Sequence, residues 1–168
     1  LLRSHVLLLS FLGDDGWPAP RLHEAGLKGS RLSRCYEEVV WAMRRMWVDC
    51  KLVHADLSEF NLLWWKDQVW VIDVSQSVEA DHPRALEFLR MDAVNVTHFF
   101  GRRKGLRVMS ARELFEFVRH ESLPDQEAEK AFLTKAWEKA KRRDPAAPES
   151  AEDRIWRQSD FVRTLADV

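Results

Sequence analysis

Three side chains in the middle of the sequence, Asp56, Asn61 and Asp73, combine types and spacings that suit magnesium-assisted phosphoryl transfer. They lie in Leu52-Val53-His54-Ala55-Asp56-Leu57-Ser58-Glu59-Phe60-Asn61 and in Val71-Ile72-Asp73. An acceptor hydroxyl needs a carboxylate within hydrogen-bond reach to orient it and take its proton, a role that fits Asp56. Magnesium is a hard cation that takes oxygen ligands and keeps several waters, so one carboxylate and one amide oxygen near the phosphates suffice; Asp73 and Asn61 fit. The same residues also have plain structural uses: Asp56 as a loop cap, Asn61 as a turn former, Asp73 as an acceptor at a strand end. His54 reads as a buried residue holding the loop, because the carboxylate two positions on already stands in the place of a base.

The elements around these residues must hold them still. Leu62 to Trp65, the polar Lys66-Asp67-Gln68 and Val69 to Ile72 read as a hairpin, which puts Asn61 and Asp73 at the ends of rigid strands. Before the loop, a helix starts at Ser30 or Ser33, because Leu32, Cys35, Tyr36, Val39, Met43, Met46 and Trp47 recur every three or four residues. Arg34, Glu37, Glu38, Arg44 and Arg45 fall largely between them. His5 to Leu12 is an apolar run closed by Gly13-Asp14-Asp15-Gly16 and reads as a buried strand.

After Asp73, Ser75 to Pro83 reads as loop. A helix over Ala85 to Phe100 carries Leu86, Leu89, Val94, Val96 and Phe99, with Glu87, Arg90, Asp92 and Asn95 on its other faces. Gly101 to Gly105 is a basic turn around Arg102-Arg103-Lys104. A solvated loop is preferred there over contact with RNA phosphate, because so short a patch makes few of the contacts such binding rests on. Ser110 with Glu113 has the form of a capping box before a helix from Ala111 to His120, and a further helix covers Asp125 to Arg143. Residues 144–153 read as a flexible linker, and Ile155-Trp156 with Phe161-Val162 as apolar groups that dock elsewhere. The sum is an α+β protein, mainly helical, with one small β-hairpin at the loop.

Composition bounds what this site could serve. The 168 residues, 46% hydrophobic and 32% charged, suit one globular domain, and a net charge of −1 gives no global field for a polyanion. No sequence-specific nucleic-acid binding is expected. Cys35 and Cys50 have neither a disulfide-scaffold count nor metal-ligand spacing and read as reduced thiols. No apolar run reaches the length of a membrane span, and no basic region precedes a cleavable apolar core, so a soluble, cytoplasmic protein without a membrane partner is expected. Eight Trp stand against one Tyr; large buried packing surfaces are their commonest use.

The order His54-x-Asp56-Leu57-x-x-x-Asn61, followed by Asp73, is that of the protein-kinase catalytic loop and its second metal-binding carboxylate. Residues 52–63, the stretch Val71-Ile72-Asp73-Val74-Ser75-Gln76-Ser77-Val78-Glu79 and residues 81–92 together resemble the RIO atypical protein kinases, first-type subfamily. Residues 108–118 and 155–168 support that resemblance. Ala55 in place of the usual arginine, Ser58 and Glu59 in place of lysine and proline, Asp73-Val74-Ser75 in place of Asp-Phe-Gly, and the lack of an Ala-Pro-Glu motif fit a family without an activation segment.

The resemblance implies a protein-kinase-like C-terminal lobe over 13–143, preceded at 1–12 by a hinge strand and hinge, with 144–153 a linker and 154–168 a docking segment. It implies ATP and Mg2+ as cofactors, Asp56 and Asp73 as catalytic residues, and Asn61 and Asp73 as metal ligands. Ser10, Leu12 and Ser58 join Asn61 and Asp73 on the nucleotide, Ser10 to Leu12 through hinge backbone that meets adenine, with Leu9 at the gatekeeper position. It further implies a protein serine/threonine kinase or ATPase in late cytoplasmic maturation of the small ribosomal subunit. Its partners would be the pre-40S particle and its assembly factors, and Asp73 would be a candidate phosphate acceptor ahead of Ser75 and Ser77. No Gly-x-Gly-x-x-Gly loop and no Val-Ala-x-Lys strand occur, so the expectation is hinge plus C-terminal lobe without the N-terminal lobe. Two alternatives remain: a non-catalytic binding module or scaffold, and a small-molecule phosphotransferase of the aminoglycoside or choline kinase kind. Ser58-Glu59-Phe60 and Asp81-His82-Pro83 speak against the latter.

Overall fold

The computed structural model describes residues 2–3, 5–120, 125–143 and 150–159. Two short antiparallel pairs open it, β1 (Leu2–Arg3) with β2 (Val6–Leu7) and β3 (Gly13–Asp14) with β4 (Trp17–Pro18). The run His5 to Leu12 is not the buried strand expected of it: Val6 is 58% and Leu9 72% exposed, and Phe11 is exposed as well. Apolarity marks a surface that gains from cover without supplying the cover, and among the described residues no layer packs over this run.

Helix α1 (Gly29–Val48) is the spine of the core, burying Leu32, Cys35, Tyr36, Val39, Val40, Met43 and Trp47 along one face. Tyr36 meets the rings of Phe100 and Trp137 at 5.1 and 5.2 Å between centroids. Burial pushes the Cys35 thiol up to about 12, so it stays protonated and behaves as a small apolar side chain. Arg44, expected between the apolar positions, is instead buried, because its guanidinium finds Glu129 and the carbonyl of Phe117.

Strand β5 (Leu52–Val53) pairs with β8 (Val78–Glu79), and β6 (Leu62–Trp65) pairs with β7 (Gln68–Val71) in the register Leu62↔Val71 to Trp65↔Gln68. The hairpin therefore turns on two residues, Lys66 and Asp67, with φ of 50° and 59°, and Gln68 belongs to the strand rather than the turn. Two consecutive left-handed residues match the right-handed twist of the flanking strands. Helix α1 grips this turn: Arg31 donates to Asp67 Oδ1 at 2.6 Å and Arg34 to the Asp67 carbonyl at 2.7 Å, while Glu38 accepts from the Val69 amide at 2.7 Å.

The stretch 75–83, read as loop, contains β8 and the end of a 3-10 turn at Val74–Gln76. Helix α2 (Ala85–Thr97) runs without a break into a π-helical segment, His98–Arg103, which replaces the expected basic turn; Gly105, at φ 68°, follows it. The capping box forms as read, with Ser110 Oγ accepting from the Glu113 amide and the Glu113 carboxylate accepting from the Ser110 amide, and it starts α3 (Ala111–Arg119). Asp125 caps α4 (Gln126–Lys141). Ser150 caps α5 (Ala151–Gln158), so helix begins inside the stretch read as linker. Residues 144–149 and Phe161-Val162 lie outside the described residues. Trp156 docks on the Phe115 ring at 5.3 Å, while Ile155 stays exposed. No described helix is long and apolar enough to cross a membrane.

Candidate active site

The loop between β5 and β6 carries Asp56 and Asn61, and the chain leaving β7 carries Asp73. His54, at the loop's start, is buried as the sequence suggested; its Nε2 lies 3.0 Å from the carbonyl oxygen of Ile72. The amide of Ile72 in turn donates to the Asn61 carbonyl at 3.0 Å. Ile72 is thus pinned from both sides, and Asp73, the next residue, is set relative to the loop by backbone rather than by its own carboxylate. The turn is completed at Asp73 itself, which takes the left-handed conformation, φ 59° and ψ 63°.

Asp56 is exposed and Asn61 half-buried. The Asn61 Nδ2 lies 2.9 Å from both the carbonyl oxygen and the Oδ2 of Asp56. Two acceptors facing one atom fix it as the NH2 group, which leaves the Asn61 side-chain oxygen able to ligate a cation. Asp73 accepts from Ser75 Oγ at 2.6 Å on Oδ1. The hydroxyl and backbone amide of Ser75 hold the Asp73 carboxyl below the ordinary range against the opposing effect of desolvation, with His54 contributing least. An ionised carboxylate and an amide oxygen are hard donors, and this set fits Mg2+.

A residue that sequence reasoning missed fixes the loop from beneath. Asp92, on α2, is buried, and its two oxygens accept from the amides of Ala55, at 2.9 Å, and Leu57, at 2.8 Å, one on each side of Asp56. Burial pushes its carboxyl up to about 6, partly offset by those same amide bonds. Asp92, expected on a face of α2 other than that of its apolar residues, lies among them. Leu89, Asp92, Ala93 and Val96 share the buried face at three- and four-residue spacing, and a carboxylate in that stripe was the signal to read. Asn95 adds a bond from Nδ2 to the Leu57 carbonyl at 3.3 Å, and Ser77 Oγ donates to the His54 carbonyl at 3.3 Å. Glu59, buried within the loop, pairs with Arg103 of the π segment.

The other residues expected at the site are less closely joined to it. Ser58 is half-buried and its carbonyl accepts from the Asn61 amide at 3.0 Å. Ser10 is exposed, and the Leu12 carbonyl accepts from the Ala19 amide at 2.8 Å. Among the described residues, no hydrogen bond joins Ser10 or Leu12 to the 54–61 loop.

Comparison with known proteins bears on the same residues. The sequence profile described as the RIO domain matches residues 1–114. The chain is similar to human serine/threonine-protein kinase RIO1, 46% identical over 171 residues that cover 100% of this chain and 30% of the relative. It is also similar to serine/threonine-protein kinase RIO1 of Caenorhabditis elegans, 57% identical over 118 residues that cover 70% of this chain and 23% of the relative. A solved structure, the Rio2 kinase-ADP/Mg2+-phosphoaspartate complex from Chaetomium thermophilum, aligns with a TM-score of 0.49 at 19% identity, covering 76% of this chain and 44% of that one. The chain spans no more than about 30% of the length of the human and nematode relatives. Since the profile spans well over half of the sequence and includes Asp56, Asn61, Asp73 and Asp92, the chain belongs to the RIO family, whose named members here are serine/threonine-protein kinases.

Proposed function

We propose that this chain carries the base and metal ligands of an ATP-dependent protein serine/threonine kinase or ATPase of RIO type. The observation that carries the reading is the bond from Asn61 to the Asp56 carboxylate, on a loop clamped by Asp92. Asp56 orients an acceptor hydroxyl and takes its proton. Asn61, held by its NH2 group, offers its oxygen to Mg2+, and Asp73, kept ionised by Ser75, offers a carboxylate. When held by Asn61 and Asp73, Mg2+ would supply charge neutralisation on the phosphates of ATP. Ser58 lies beside Asn61 on the same loop, and Ser10 and Leu12 belong to the segment proposed to meet adenine.

By kinship with the family, the setting is late cytoplasmic maturation of the small ribosomal subunit, with the pre-40S particle and its assembly factors as partners. Asp73 is in addition a candidate phosphate acceptor: a carboxylate oxygen attacks the γ-phosphorus, the bond to the bridging oxygen breaks, and ADP leaves with that electron pair.

Calorimetry of the chain with ATP, with and without Mg2+, tests the reading. Magnesium-dependent binding that is lost in Asp73→Asn supports it, and binding that ignores both the metal and the substitution sinks the metal role. A second reading, a non-catalytic binding module, draws on the exposed apolar run Val6 to Phe11. A wild-type chain that takes up no ATP at millimolar nucleotide would favour it.

A further inference from the structure

Residues 20–22 lie along β6 as a partial third strand of the hairpin. The Leu22 amide donates to the Leu62 carbonyl at 2.7 Å, Arg21 and Leu63 form an antiparallel bridge, and the Trp64 amide donates to the Pro20 carbonyl at 3.0 Å. Leu22 is buried, so this strap is anchored in the core as well as along its backbone. The strap delivers the next residue, His23, to the catalytic loop: its ring centre lies 4.6 Å from that of Phe60, with the planes tilted by 53°, inside the range of about 4.5–7 Å that paired rings favour.

Phe60 is joined directly to Asn61. The Asn61 backbone is fixed on its far side by the Ile72 amide, which donates to its carbonyl. On the near side the Phe60 ring is 45% exposed, and His23 is packed against it. The His23 Nε2 lies 3.2 Å from Glu24 Oε1, while Nδ1 is buried without a hydrogen-bond partner. A polar atom buried unpaired is a cost, so hydrogen bonding at Nδ1 does not explain the pose of this ring; contact with Phe60 does. We infer that His23 is a positioning residue for Asn61: its ring is the wall that holds Phe60, and through the following peptide it keeps the Asn61 NH2 group on Asp56 and the Asn61 oxygen free for a metal. The consequence for Mg2+ rests on the function proposed above. The placement of the Asn61 side chain does not, so the two can fail separately.

The first measurement is 15N NMR of the 168-residue chain without ligand, with the Asn61 side-chain NH2 pair assigned by its loss in Asn61→Asp. In His23→Ala the pair moves toward the shift of a free carboxamide. In His23→Phe, which keeps the ring and removes the unpaired nitrogen, it stays where the wild type has it. Phe60→Ala reproduces the shift, and adding His23→Ala to it changes nothing further, because the two act as one unit. Leu133→Ala, in the core at α4, lowers Tm without moving the pair. The second measurement is calorimetry with ATP: the gain in affinity that Mg2+ brings falls about tenfold or more in His23→Ala, the usual loss when the support behind a metal ligand is removed, and returns in His23→Phe, while metal-free affinity is unchanged. An Asn61 pair unmoved in His23→Ala, or moved as far by His23→Phe or Leu133→Ala, overturns the inference, and so does an equal loss of ATP affinity with and without the metal. Wild-type chain that gains nothing from Mg2+ would overturn the proposed function instead, and the NMR comparison would still decide the role of His23.

Discussion

The amides on either side of Asp56 both point at Asp92, so the placement of the proposed base rests on a buried carboxylate of another element. Burial raises the Asp92 carboxyl from 3.8 to about 6. The folded chain therefore holds a proton there that the unfolded chain has released, and stability falls as pH rises through that window. In Asp92→Asn this slope disappears, which urea unfolding of both proteins between pH 4 and pH 7 measures as their difference. The variant also pays at every pH, because an amide offers one oxygen to two N–H donors; a loss of about 1–3 kcal/mol follows from leaving one unsatisfied. Equal pH profiles for the two would remove Asp92 from this role. Asp73 makes a complementary case in the open: Ser75→Ala deletes the hydroxyl that holds its carboxyl low, and NMR titration should find that carboxyl higher than in the wild type. Asp56, Asn61 and Asp73 were legible in the sequence because their types and order follow one another along the chain. Asp92 was not, because its partners lie 35 and 37 residues away and only its place in an apolar stripe betrays it.

Among the elements, the hairpin and the α3 capping box could be read because their signals are local: alternation about a polar turn, and a serine three residues before a glutamate. The π segment could not. Arg102-Arg103-Lys104 between glycines has the composition of a solvated turn, yet Arg103 leaves that context to pair with Glu59, whose side chain is 9% exposed. A π turn inserts an extra residue per turn, and such segments recur at functional sites; here it ties the end of α2 to the loop that carries Asp56. Arg103→Ala strands the Glu59 carboxylate and should cost about 1–3 kcal/mol, read by chemical unfolding. Arg103→Ala/Glu59→Gln should recover part of that loss, since the neutral amide is cheaper to leave unpaired. A single variant as stable as wild type would mean the ion pair is solvent-screened and the loop is held by Asp92 and Asn95 alone.

Over the whole molecule, sequence is the weakest guide where burial depends on what lies opposite: the run His5 to Leu12, expected to be a buried strand, is largely exposed among the described residues, and Arg44, expected between the apolar positions, is buried. Arg44 is the more instructive, because it joins α4 to the core. Its Nε donates to Glu129 Oε1 at 2.8 Å and its Nη1 to the Phe117 carbonyl at 2.6 Å, with the guanidinium 5.0 Å from the Phe117 ring centre. Arg45 adds a bond to Glu129 Oε2 at 2.7 Å. Arg44 and Glu129 have side chains 1% and 7% exposed, so each is tolerable inside only because of the other. Glu129→Gln leaves a buried guanidinium without its counter-charge, and breaking such a pair costs about 3–5 kcal/mol. Arg44→Met/Glu129→Leu removes both charges and fills their volume; it should return stability to near or above wild type, because the attraction between the charges did no more than repay their desolvation. Urea unfolding of the wild type, the single variant and the double variant measures this directly. If Glu129→Gln is tolerated within about 1 kcal/mol, Arg45 and the Phe117 carbonyl suffice for Arg44, and α4 is held to α1 by its apolar stripe rather than by the buried pair.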